Sequence, residues 1–555
     1  MNDSPAGGGV RENAKHFRVT TFLKRVTFRR AGVQAPKVRV TTPPQSSPAD
    51  TIIHPYVQNA AVMNTPRHPA LYEVNARVLL RHLARIAGRR LTLDDIPDSR
   101  LAELAGCGFS WVYLMGAWET GEAGRRVSRS NAQWLAGYRC LLPDLSEEDI
   151  CGSPFAVAGY FLHPDLGEPE ALPRFRERLH RHGIRLMLDF VPNHTAPDHP
   201  WVQDRPDYYI HGTEEELARR PQEFIGVNLP GGPAVLAHGR DPYSGGWPDT
   251  LQLDYGNPAL QEAMIAELQR VAGQCDGLRC DMAMLVLPEI FRRTWGRETE
   301  PFWPRAIESV HKEHPGFTFV AEVYWDLEWT LQQQGFDYTY DKRLYDRLRN
   351  GAARPVREHF RADPEYQQKS VRFLENHDEN RAAAVFPPDR HRAAAVLAFL
   401  CPGLRFIHRG QVSGRHKKIP VHLCRGPEEP ADPAIEEFYR QIFACLRLPA
   451  FRNGEWRLLD CTPAWEGNPS HDGYIAFAWE REEERYIVAV NYAPDRGQCY
   501  VPLPWADLAG KEVRLRDLMG EATYDRDGEG LLSPGLYLDI PGWGRHVFEV
   551  ATEGE

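Results

Sequence analysis

Eight short β-rich runs, each followed by helical patterning, constrain this chain more than any other feature. They are Leu71–Val78, Trp111–Met115, Arg185–Val191, Leu278–Ala283, Phe317–Tyr324, Phe336–Tyr340, Val371–Asn376 and Leu404–His408. Stretches such as EALPRFRERLHRHG and PALQEAMIAELQRVAG separate most of them. Parallel strands can be joined only through a crossover, so this alternation predicts parallel βαβ units. Eight units are enough to close the sheet, and the expected fold is α/β, a (β/α)8 TIM barrel. An open doubly wound sheet is the alternative.

Two departures from regular spacing predict additions to the barrel. The stretch from Asp189 to Asp281 is far longer than the roughly 30–40 residues one βα unit needs. The excess, at about residues 195–250, is rich in Pro, Gly, His and Trp and predicts an inserted domain after strand three. From residue 446 to 555 the helical pattern gives way to alternating runs such as GYIAFAWER and RYIVAVNYA, which predict a C-terminal antiparallel β domain. The barrel then occupies 63–445. Residues 1–62 are basic and rich in Gly, Pro and Ser, and are expected to be a disordered tail.

Charge and cysteine usage exclude several partners. A net charge of −10 over 555 residues gives no global basic surface for nucleic acid. The nearly apolar run Ala393–Leu404 contains a proline and is well short of the about 18–20 residues that span a bilayer. The ten cysteines form no CxxC pair, which argues against a zinc site. Free thiols and the lack of an apolar h-region near the start predict a cytoplasmic protein.

Four strand ends carry ionisable or amide side chains where a buried strand should stay apolar. Strand three supplies Asp189, Asn193 and His194; strand four, Arg279 and Asp281; strand five, Glu322; strand seven, Asn376, His377, Asp378 and Arg381. Residues two apart on a strand face the same side, so Arg279 and Asp281 point both into the barrel or both away from it, and only the inward direction makes their conjunction useful. C-terminal strand ends converge on one pocket. Three carboxylates and an arginine there predict an ionised Asp281 beside a protonated Glu322, since a cation favours the charged form of its partner and crowded carboxylates raise one another's pKa. Such a division suits retaining glycoside hydrolysis.

These four segments, in this order and spacing, resemble the conserved regions of the α-amylase family of retaining α-glycosidases and transglycosidases, over about residues 70–550. The resemblance implies Asp281 as nucleophile, Glu322 as general acid and base, and Asp378 as the carboxylate that grips the distorted sugar ring. It implies that Arg279 orients the nucleophile, that His194, His377 and Arg381 serve substrate binding, and that Asp189 is a structural acid of the substrate cleft. Phe155 falls where the family usually has a tyrosine stacking on the sugar, with a core role as the alternative. Asn193 matches a residue that in many members ligates calcium, with a strand-end cap as the alternative. No cofactor is required for the chemistry itself.

Where many members carry a Lys or His after the nucleophile, this chain has Met284 and Leu285, which predicts a more apolar acceptor side. Trp325 and Trp329 are candidates to line it, with a place in the core as the alternative. The expected substrate is an oligo- or polysaccharide, α-1,4-linked glucan or malto-oligosaccharide, cleaved by hydrolysis. A transglycosylase or isomerase of the maltosyltransferase or trehalose synthase type is the alternative. A non-catalytic relative is disfavoured because all three carboxylates are present.

Overall fold

The structure is a computed structural model and describes residues 65–552; the basic segment 1–62 lies outside the described residues. Eight parallel strands close into a barrel in chain order: Ala70–Asn75, Trp111–Met115, Arg185–Phe190, Gly277–Cys280, Thr318–Ala321, Tyr338–Tyr340, Ser370–Arg372 and Leu404–His408, with the last pairing to the first. Most of these strands end before the apolar runs that announced them. Asn75 accepts from the amides of Arg77 and Val78, which ends the first strand and caps the helix Ala76–Ala87. After Cys280 the chain turns left-handed at Met282, φ 41°, and enters a short 3-10 helix, Ala283–Val286. Hydrophobicity past a strand end serves loop burial here, not sheet pairing.

Side chains alternate across the barrel wall. Leu278 and Cys280 share an outer core with Leu260 and Leu268 of the helix Pro258–Ala272. Arg279 pairs in register with Asp189 and Val320 on its two neighbours and points inward. At Gly277 an added Cβ would lie 3.0 Å from the Trp111 ring and 2.8 Å from the Thr318 carbonyl. Only glycine lets that indole fill the barrel floor.

Two excursions stand on the C-terminal face. After the third strand, His194–Thr195 pairs with Leu251–Gln252 and closes the base of the inserted domain. The insertion carries a three-stranded antiparallel sheet of His211–Gly212, Gly232–Ala237 and Phe224–Leu229. A second excursion, not anticipated from the sequence, follows the second strand. Trp118–Thr120 pairs with Val157–Leu162 around the helices Glu122–Ser130 and Ala132–Leu141. Those helices merge with the regular alternation, which hid the insertion.

The C-terminal domain packs a six-stranded antiparallel sheet on a three-stranded one. The strand Tyr474–Arg481 is buried along both faces. Ile475, Phe477 and Trp479 join a core with the barrel helices, while Tyr474, Ala476 and Ala478 join the core between the two sheets. Among the described residues no helix is long and apolar enough to cross a membrane.

Candidate active site

Arg279 organises the centre. It is 1% exposed, and its Nη1 donates to Asp281 Oδ1 at 2.7 Å. Its Nη2 lies 2.7 Å from Glu322 Oε2, an ion pair without hydrogen-bond alignment. Asp189, in register beside it, stands 3.6 Å from Nη1 and accepts from the Tyr113 hydroxyl and the Gly116 amide. One guanidinium therefore bridges both carboxylates, whereas the sequence suggested a pair with Asp281 alone.

Burial and charge separate the two groups. Burial pushes the Glu322 carboxyl up to about 7; Arg279 opposes this and Asp281 and Asp378 reinforce it. Burial also raises Asp281, against Arg279. The aligned hydrogen bond goes to Asp281, so the guanidinium favours its ionised form and the shared proton sits on Glu322. Two further contacts fix Glu322: the Met282 amide donates to Oε2 at 2.8 Å, and the Tyr324 hydroxyl to Oε1 at 2.9 Å. The left-handed turn at Met282 is what aims that amide.

Asp378, 44% exposed, sits at the rim, with His377 Nε2 3.0 Å from its carboxylate. The other ring nitrogen of His377 meets Glu73, a fully buried acid of the first strand. Burial would lower the His377 pKa, but Asp378 and Glu73 raise it well above the ordinary histidine value. Burial works against ionised Asp378, yet His377 holds its carboxyl well below the usual range. Phe155 stacks on His377 with centroids 5.3 Å apart and lies 5.2 Å from the Arg279 guanidinium carbon. It is half-buried.

The remaining expected residues take quieter places. His194 is buried edge-on to Trp247 at 5.3 Å, and burial lowers its pKa to about 4, so it is neutral. Arg381, expected to bind substrate, is 3% exposed and committed to Glu375, His408 and the Arg409 carbonyl. It ties the segment after the seventh strand to the end of the eighth. Met284 and Leu285 are 0% and 3% exposed in the outer core, so they do not form an acceptor surface. Trp325 does border the cleft side of the fifth strand: it is half-buried, left-handed at φ 63°, and packs edge-on against the exposed Tyr243 of the inserted domain at 4.9 Å. Trp329 is exposed on the following helix.

Asn193 does not fit a calcium ligand. The Gln252 amide nitrogen donates to Asn193 Oδ1, the Asn193 carbonyl and the Leu253 carbonyl, each at 3.0 Å. A side-chain amide thus stands where oxygens converge as they would on a cation. The reverse orientation of the amide would set its oxygen against three others. Among the described residues no group of three or more His, Cys, Asp or Glu is placed to hold a metal.

Glu73, Tyr113, Tyr324 and Glu375 were not singled out from the sequence. Glu73 and Glu375 carry the same signal that exposed Arg279, a charge inside a buried strand or its end.

Comparison with known proteins matches residues 158–429 to the α-amylase catalytic domain. Alpha-amylase 3 of Dictyoglomus thermophilum is 25% identical over 48% of this chain and 55% of its own length. A trehalose synthase/amylase of Mycobacterium tuberculosis is 28% identical over 48% of this chain and 49% of its own. The chain thus spans about half the length of the curated relatives it matches. A maltogenic α-amylase of Thermotoga neapolitana superposes with a TM-score of 0.62 at 18% identity, over 87% of this chain and 98% of that one, a likeness of fold. With the barrel, the inserted domain and the β domain in place around this carboxylate cluster, the chain belongs to the α-amylase family.

Proposed function

We propose that the protein hydrolyses α-1,4-linked glucans or malto-oligosaccharides with retention, through a covalent glycosyl-enzyme. Asp281 attacks the anomeric carbon while Glu322 protonates the departing oxygen. Glu322, now ionised, then takes a proton from water, which attacks the same carbon and releases Asp281. Asp378, held ionised by His377, grips the ring hydroxyls and stabilises the positive charge that develops in the transition state. The observation that carries this reading is the Arg279 bridge, with Glu322 raised to about 7 beside a hydrogen-bonded Asp281.

Burial of Met284 and Leu285 removes the sequence argument for an acceptor side hostile to water. Sugar transfer shares the glycosyl-enzyme and is the competing outcome of one experiment. The protein is incubated with maltoheptaose, with and without orthophosphate, and the products are resolved. Shorter sugars alone support hydrolysis; longer chains, trehalose or a sugar phosphate overturn it. Asp281→Asn should lower kcat by a factor of about 10⁴ or more with an unchanged thermal midpoint. Near-normal turnover in that variant would remove Asp281 from the nucleophile role.

A further inference from the structure

A cavity of about 1210 Å³ opens beside the catalytic barrel, between the helix Ala76–Ala87 and the chain that follows the eighth strand. Its lining holds ten arginines against five carboxylates. On the helix, Arg77, Arg81 and Arg85 fall at i, i+4 and i+8, one face of a helix whose like charges repel. Such a ladder costs stability unless something anionic lies against it. Surface acids answer part of it: Arg81 pairs with Glu148 and Arg85 with Glu428.

On the other wall Arg425 is paired with Asp144 and Asp149. Arg409 and Arg415 are half-buried and form no ion pair among the described residues. They also border a small hollow of about 30 Å³ that reaches His377. Arg77 is 6% exposed; its Nη atoms serve the carbonyls of Cys151, Gly152 and Trp118 and the Thr120 hydroxyl, while Nε has no partner. The neighbours register the positive field. Burial, Arg409, Arg415 and Arg85 lower His82, with Glu428 opposing. The Cys424 hydrogen bond, with help from Arg77 and against burial, draws the Cys151 thiol down to about 6.

We propose that this cavity is a binding site for a phosphate-bearing sugar, its phosphate held by Arg409 and Arg415. Guanidinium forks match phosphate oxygens in pairs, and a concave basic wall of low dielectric concentrates anions. Four of the five acids of the lining, Asp144, Glu148, Asp165 and Glu428, lie at the rim and are each 66–82% exposed, where they can accept sugar hydroxyls. Among the described residues no Phe, Tyr or Trp lines the cavity, which disfavours a nucleotide, whose base asks for a broad stacking surface. None of Asp281, Glu322 and Asp378 lines the cavity, and its occupancy is measured without reference to turnover.

The test is calorimetric titration of the full chain with glucose 6-phosphate, inorganic phosphate and glucose at matched ionic strength. Glucose 6-phosphate should bind saturably and at least about tenfold more tightly than either part alone. Arg415→Gln and Arg409→Gln should each weaken it by about tenfold or more, with thermal midpoints reporting that the variants are folded. Absence of saturable binding up to about 10 mM would overturn the proposal, as would wild-type affinity in folded Arg415→Gln. Inorganic phosphate binding as tightly as glucose 6-phosphate would overturn its assignment to a sugar ester.

Discussion

Glu322 is the residue whose environment most directly sets function. In the proposed mechanism it serves as an acid only while protonated, and burial, with Asp281 and Asp378 nearby, raises its pKa to about 7. Activity should therefore fall as pH rises through about 7, and Glu322→Gln should remove that limb from the kcat/KM profile along with most of the rate. A basic limb that persisted in the variant would assign the titration elsewhere. Glu73 is a positioning residue one step further back. It is fully buried, ionised against burial by His408 and His377, and sets the charge of His377 beside Asp378. Losing one charge-assisted hydrogen bond of about 1.5–3 kcal/mol should reduce kcat in Glu73→Gln by roughly 10–100-fold. The His377 imidazole pKa, followed by NMR, should fall in parallel. An unchanged imidazole titration would show that Glu73 only fills space.

Among the elements, the base of the inserted domain shows how one amide can replace an ion. The pairing of His194–Thr195 with Leu251–Gln252 brings the Gln252 side chain onto three oxygens of Asn193 and Leu253. Removing that donor in Gln252→Ala would leave buried acceptors unsatisfied, at about 1–3 kcal/mol for each such group. The prediction for chelation follows. EDTA should leave both the thermal midpoint and glucan turnover unchanged, while Gln252→Ala should lower the midpoint. A midpoint that dropped with EDTA and recovered with calcium would restore the cation at this junction. Of the two excursions on this face only the one after strand three was anticipated, because its Pro- and Gly-rich composition broke the helical pattern.

Across the whole molecule, the barrel and the C-terminal β domain share one core. Trp479 donates its indole N–H to the Leu400 carbonyl at 2.7 Å, and Ile475, Phe477, Val488 and Val490 lie in one cluster with Phe399, Tyr439 and Phe443 of the barrel helices. Cutting the chain after Asn453 would expose that surface to water. The truncated barrel should be insoluble or molten, and the full chain should unfold in a single calorimetric transition. Two resolved transitions, or a folded and active truncated barrel, would show that the domains are energetically independent.

The sequence by itself determined the eight-fold alternation and the charged strand ends, because strand period and burial leave a direct trace in residue order. Arg279 and Asp281 were legible as a costly pair in an apolar run, and Glu322 and Asp378 by the same logic. Where the apolar runs stop being strands was decided only by tertiary structure. Met284 and Leu285 read as cleft residues yet pack in the outer core, because the turn at Met282 redirects the chain and aims an amide at Glu322. Partners distant in sequence were likewise invisible. Glu73 reaches His377 across 304 positions and Gln252 reaches Asn193 across 59, and no local pattern records a contact that exists only after the barrel has closed.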